Sequence, residues 1–257
     1  MNSDGESRPT FRDEFSNVAA QYAAYRPKYP DALFEFVASL PARRELAWDC
    51  GTGSGQAARA LASFFTRVIA TDASAAQLAH ATAAPNIEYR VARAEESGLI
   101  ADSVDLVTVA QALHWFDLNA FFAEVLRVVR ARGALVVWGY GDARLDSPDL
   151  DRILKQFYSE RVGPFWPPNR AVLDTRYRAI SMPFTEVASP DVDMTRDMTL
   201  GALAGYVRTW SATQLYIKAH GHDPVVDLVT VLRPAWGADE VLHRITWPLW
   251  IRASVRW

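Results

Sequence analysis

The sequence predicts an α/β fold: a doubly wound sheet, mostly parallel, with an antiparallel last strand and a helical lid or insert. Three observations carry this expectation. Short apolar runs alternate with helical patterns from residue 46 to residue 138, the rhythm of parallel strands joined by right-handed crossovers. Three glycines at alternate positions, Gly51, Gly53 and Gly55, stand where the first of these strands hands over to a helix. After Tyr140 the rhythm gives way to longer helical stretches and a proline-rich loop, "GPFWPPNR", before a closing run "LHRITWPLWIRASVRW".

The elements follow in chain order. Residues 1–10, "MNSDGESRPT", are polar, lack the apolar segment of a signal peptide and are expected to form a flexible tail. Residues 11–45 should hold a lid and a first helix. There "RPKYP" breaks any helix, since each proline disfavours helical geometry in the residue before it. Asp31 is the expected cap of a helix carrying Leu33, Phe34, Val37 and Leu40. Strands are expected at Leu46–Cys50, 67–71, Ile87–Val91, Val104–Ala110 and 134–138. Several are near-continuous apolar runs, as expected of strands covered on both faces. Helices are expected at 56–65, 74–83 and 118–130, the last capped by Asp117, with Gly133 just beyond its end.

Residues 46–140 thus read as the core, and 141–238 as a helical insert with a sixth strand in "PFTEVASPDVDMT". The capping-box spacing of Ser211 and Gln214 splits two helices. Residues 239–257 should complete the sheet, with Pro248 at a bend or bulge.

Composition narrows the function. The chain has 257 residues, half of them hydrophobic, enough for one large domain or a domain with a small lid. A net charge of −3 supplies no field to steer nucleic acid or anionic lipid, so neither partner is expected. One cysteine excludes an internal disulfide framework and a multi-cysteine metal site. No carboxylate cluster suggests a metal. A single thiol and the lack of a membrane-length apolar run make the cytoplasm the expected location.

A bare turn at a strand end offers backbone N–H groups and close approach for a ligand. Dinucleotides and S-adenosylmethionine both use this device. A dinucleotide fingerprint needs G-x-G-x-x-G, and Gln56 stands where its third glycine would be. The G-x-x-x-x-G-K-[ST] phosphate loop is absent. A tight turn with no ligand is the plain alternative. Asp72 ends the second strand, where a carboxylate can accept from both ribose hydroxyls of a nucleoside or cap the next helix.

Asp49-x-Gly51-x-Gly53-x-Gly55, Asp72 and "AQALHWF" after the fourth strand together resemble the class I S-adenosylmethionine-dependent methyltransferases, whose sheet is Rossmann-like. The resemblance spans nearly the whole chain. The opening "FSNVAAQYAAYRPKYP" and the closing "WPLWIR" are similar to the trans-aconitate methyltransferase-like (methyltransferase type 11) subgroup.

The resemblance implies S-adenosylmethionine as cofactor, S-adenosylhomocysteine as product and a small-molecule methyl acceptor. It implies that Gly51, Thr52, Gly53 and Gly55 lie against the methionine part, with Asp49 aimed at its ammonium group. Asp72 would hold the ribose, with Ala73 and Gln77 beside the adenine. Ala94 and Glu95 match the adenine-reading segment, although Arg93 stands where an aspartate is common. Ala110, Gln111 and Tyr25 would also line the cofactor. For the acceptor it implies Trp115, Trp166, Tyr206 and Arg208 as wall residues, although Leu203, Val207 and Trp210 share a stripe that marks Trp210 as core.

Catalytic candidates are His114, Arg26 and Tyr22. A carboxylate acceptor needs no base, and Arg26 would clamp it. A hydroxyl or amine would call on His114. Two other functions compete: a nicotinamide-dependent oxidoreductase and a non-catalytic S-adenosylmethionine-binding protein. A monomer or homodimer is expected.

Overall fold

The computed structural model describes Tyr25, residues 27–167, Leu173 and residues 175–257. Strands β1 (Leu46–Cys50), β2 (Arg67–Asp72) and β4 (Val104–Ala110) are buried along most of their length. Apolar runs without polar alternation belong in the middle of a sheet covered on both faces, and that is where they lie. The order runs β3 (Ile87–Val91), β2, β1, β4, β5 (Val129–Tyr140), β9 (His243–Val255). Pairing is parallel as far as β5. β9 then runs antiparallel to β5, from Ala134 opposite Val255 to Tyr140 opposite Leu249.

The last strand changes partners at Pro248. Beyond it β9 pairs with β5 and with β7 (Thr185–Val187). Before it β9 pairs with β8 (Asp193–Met198) and β6 (Arg144–Leu145). A residue without an N–H suits the place where one ladder stops and another begins. Two strands, β7 and β8, therefore occupy the region where one sixth strand was expected.

Alternation along β5 divides the core. Ala134, Val136 and Trp138 face α1 (Asp31–Ser39) and α2 (Gln56–Leu61), meeting Leu33, Phe34, Ala58 and Leu61. Leu135 and Val137 face the other way, toward Phe121, Val125 and Val128 of α4 (Leu118–Val128). A third apolar cluster joins α5 (Pro148–Gln156), α6 (Leu200–Arg208), α7 (Ser211–His220) and α8 (Val225–Trp236) to Ile245 and Trp247 in the first half of β9. No helix among the described residues is long and apolar enough to cross a membrane.

Several local expectations are corrected. α2 ends at Leu61, and the next helix, α3, is one turn, Ala75–Leu78. α4 stops at Val128 and β5 begins at once, so Gly133 lies within the strand and caps nothing. Asp31 is the first helical residue of α1, behind Pro30 at the cap position. The break at Ser211 stands, but Gln214 closes no capping box. Its side-chain amide donates instead to the Arg208 carbonyl at 2.7 Å, one of the carbonyls that the last turn of α6 leaves without a helical partner. Asp117 does cap α4, accepting from the Ala120 amide at 3.2 Å.

Candidate active site

The turn after β1 is tied to the end of β2. The Thr71 carbonyl accepts from the Gly51 and Thr52 amides at 2.8 and 3.0 Å. Gly51 and Gly53 both have left-handed φ, of 69° and 57°, but for different surroundings. A Cβ on Gly51 would come within 2.7 Å of the Ala112 Cβ, and one on Gly55 within 2.9 Å of Tyr89 Cε1. Those two positions are kept bare by the protein's own packing. Among the described residues, a Cβ on Gly53 would meet only Gln77 Oε1, at 3.9 Å. The turn is therefore open at Gly53, where a ligand can approach the backbone.

Two carboxylates flank this opening. Asp49 is fully buried and accepts from the Thr108 hydroxyl at 2.8 Å and from the Thr52 hydroxyl. Thr108 is its register partner on β4. Burial pushes the Asp49 carboxyl up to about 6. The hydroxyls and the Ala58 amide oppose the shift, and the charge of Asp72 adds to it. Asp72 accepts from the Gly53 amide at 2.8 Å and the Ser74 amide at 2.9 Å. It thus anchors the loop and braces the turn into α3, while Ser74 itself caps that helix. A carboxylate offers about four lone-pair sites, so two amide bonds are compatible with further hydroxyl donors.

The chain leaves β4 through a strained residue. Gln111 has φ 56°; its amide donates to the Trp138 carbonyl at 2.9 Å and its side chain to the Tyr140 carbonyl at 3.2 Å. Ala110 lies beside it at the strand end. In the short turn that follows, His114 Nδ1 is 2.7 Å from the Tyr177 hydroxyl. Trp115 is 39% exposed and packs against the His114 ring, 5.0 Å between centroids. Phe116 turns inward onto Gly51 and Phe121.

Other expected cofactor residues lie near the ends of β2 and β3. Ala73 is exposed directly after Asp72, and Gln77 looks toward Gly53. Ala94 is buried. Glu95 accepts from the Asp117 amide at 2.9 Å and pairs with Arg93 at 3.2 Å, which ties this loop to the start of α4.

The acceptor-side candidates are less uniform. Trp166 stacks on Tyr158 at 4.9 Å and lies 5.9 Å from Trp210. Tyr206 is corrected to a core residue: it is 4% exposed, and its hydroxyl accepts from Trp247 Nε1 at 2.8 Å. Arg208 is engaged in an ion pair at the end of α6, its Nε 2.7 Å from Asp223, a nearby anion that holds the guanidinium there. Trp210 is buried, as its stripe predicts. Tyr22 and Arg26 lie outside the described residues. Tyr25 rests on α6, where a Cβ on Gly205 would come within 2.6 Å of its Cε1. The side-chain amide of Gln56 donates to the Pro27 carbonyl at 3.1 Å and so fastens the segment after Arg26 to the glycine turn. Thr108, Tyr177 and this role of Gln56 carry no local sequence signal.

Residues 48–137 match the family described as "Methyltransferase domain". A Dictyostelium discoideum protein named as a methyltransferase is 33% identical over 250 residues, 95% of each chain. A solved structure described as a type II methyltransferase from Anaeromyxobacter dehalogenans aligns with a TM-score of 0.84 at 40% identity, over 90% of this chain and 98% of that one. The fold alone is shared with a Haemonchus contortus phosphoethanolamine N-methyltransferase solved with S-adenosylhomocysteine. That match has a TM-score of 0.50 at 17% identity, over 94% of this chain and 57% of that one. None of these similarities supports a nicotinamide-dependent oxidoreductase. With a glycine turn open between two carboxylates, and likeness that runs the length of both chains, the protein belongs to the class I S-adenosylmethionine-dependent methyltransferases.

Proposed function

We propose that this methyltransferase binds S-adenosylmethionine across Gly53 and passes the methyl group to a small-molecule acceptor, a carboxylate. The observation that carries the reading is the open turn at Gly53 between Asp49 and Asp72: packing fills the space beside the other two glycines, whereas among the described residues only Gln77 Oε1 comes near this one. The donor set fits the group. Asp72 takes the ribose diol and Asp49 faces the ammonium end. Gly53 and Thr52 lie along the methionine part, Gln77 and Ala73 border the adenine, and Ala94 and Glu95 approach its edge. Bound there, the cofactor supplies a methyl carbon already activated by a sulfonium charge.

The chain's own residues then have to bind, orient and exclude water. Aromatic faces such as Trp115 attract a sulfonium by roughly 0.5–2 kcal/mol. Gln111, held in its left-handed conformation by two carbonyls, sets the direction of the turn that carries His114 and Trp115. A carboxylate acceptor arrives ionised, so positioning suffices, and Arg26 is the proposed clamp with Tyr22 beside it. In this reading residues 46–140 hold the cofactor, and 141–238 with Trp166 close over the acceptor. The enzyme works in the cytoplasm as a monomer or homodimer.

Calorimetry with S-adenosylhomocysteine and NAD tests the cofactor. Heat is expected from the first alone, and Asp72→Ala should weaken it at least tenfold. Unchanged affinity in that variant would remove Asp72 from the site. Turnover with small carboxylic acids, phenols and amines tests the acceptor, and methylation of amines alone would refute the carboxylate.

A further inference from the structure

Tyr177 is fully buried, and among the described residues its hydroxyl meets one residue only. The His114 backbone amide donates to it at 3.3 Å, and His114 Nδ1 lies 2.7 Å away. The amide contact uses the oxygen as acceptor, so the hydroxyl proton needs an acceptor of its own, and Nδ1 is the atom in place. Burial also pushes the Tyr177 phenol well above its ordinary range, so the proton stays on the oxygen. Were Nδ1 to carry a proton instead, the hydroxyl hydrogen would be buried without a partner, an arrangement proteins avoid. A neutral imidazole with an accepting Nδ1 carries its proton on Nε2.

Tyr177 is itself held under strain. Arg176 and Tyr177 are consecutive non-glycine residues with left-handed φ, 54° and 55°. The Arg252 guanidinium on β9 donates to the carbonyls of Tyr177 and Ile180 and pairs with Glu186 at 2.6 Å. The Trp250 ring meets Tyr177 edge-on at 4.8 Å. Backbone strain of this kind persists where the surroundings over-determine it, and it concentrates at functional positions.

We infer that Tyr177 is a positioning residue that holds His114 in the Nε2–H form, so that His114 meets the methyl acceptor as a hydrogen-bond donor and not as a base. The inference rests on the proposed reading that the turn after β4 faces the acceptor. An N–H donor there steadies an acceptor oxygen that is already anionic. An alcohol or amine, which must lose a proton, would find no vacant ring nitrogen to take it.

Long-range proton–nitrogen NMR of the histidine rings tests this on the ligand-free protein, with His114→Gln used to assign the His114 signals. The wild type is expected to show His114 protonated at Nε2. In Tyr177→Phe, which keeps the ring against Trp250, the signals should move toward a mixture of both tautomers. The other four histidines should be unmoved, showing that the fold is intact. A wild-type ring protonated at Nδ1, or a pattern indifferent to Tyr177→Phe, would overturn the inference. In turnover, Tyr177→Phe should lower kcat about tenfold with KM for S-adenosylmethionine unchanged; an equal loss in both would mark Tyr177 as merely structural. Should S-adenosylhomocysteine fail to bind at all, the proposed function falls, while the NMR result still decides the tautomer.

Discussion

Replacing Asp49 with asparagine separates what this carboxylate costs the fold from what it offers a ligand. The side chain is fully buried, and its carboxyl titrates at about 6 against an ordinary 3.8. At roughly 1.36 kcal/mol per pH unit, holding the charge costs the folded state about 3 kcal/mol at neutral pH. The sign follows from proton binding. Below pH 3.8 the carboxyl is protonated in both states and the penalty is absent. As the pH rises toward about 6 the unfolded chain ionises first, so stability falls; above 6 the loss is complete. Asparagine keeps the shape, and the Thr52 and Thr108 hydroxyls can rotate to donate to its oxygen or accept from its amide. The stability of Asp49→Asn relative to wild type should therefore improve by about 3 kcal/mol between about pH 3.5 and about pH 7.5. Urea unfolding of both proteins at the two pH values measures this, and taking their difference cancels the other titrating groups. A difference that does not change with pH would refute the claim that Asp49 carries a desolvated charge.

Three further outcomes are expected. If ionised Asp49 holds the ligand's ammonium group, calorimetric affinity for S-adenosylhomocysteine should fall about tenfold per pH unit below its carboxyl value of about 6; a flat profile would take Asp49 out of the contact. Gly53→Ala should cost about 1–2 kcal/mol of stability, for a left-handed alanine alone, while lowering ligand affinity. Gly51→Ala should cost more in thermal unfolding, because the Ala112 methyl group adds a clash at 2.7 Å; equal losses would mean that packing does not distinguish the two. In Gly205→Ala the new methyl group should displace Tyr25 from α6, so that chymotrypsin cuts after Tyr25 several-fold faster while helix propensity keeps the melting temperature from falling. An unchanged cutting rate would mean that the ring does not rest there.

The strands were legible because their signal is local. The expected strands Leu46–Cys50, Ile87–Val91 and Val104–Ala110 match the observed limits residue for residue. The mostly apolar runs of β1 and β4, buried on both faces, called for a parallel sheet wrapped by helices. The glycine turn, Asp72 at the second strand end and the change of course at Pro248 were legible for the same reason, since backbone conformation and a missing N–H act at single residues. Helix ends were less so: α4 gives way to strand at Val129 although the apolar helical pattern runs on, because pairing with β4 outweighs propensity there.

The sequence by itself determined the fold class, the glycine turn and the acids beside it. Only the tertiary structure decided the company those residues keep. Asp49 meets Thr108 across 59 positions and His114 meets Tyr177 across 63, through strand register and the path of a crossover that no local pattern encodes. Tyr206 and Arg208 show the same limit from the other side. A helical stripe reveals which face is apolar, but an amphipathic tyrosine or a long arginine suits a core, a wall or an ion pair equally. Packing chose Trp247 for one and Asp223 for the other.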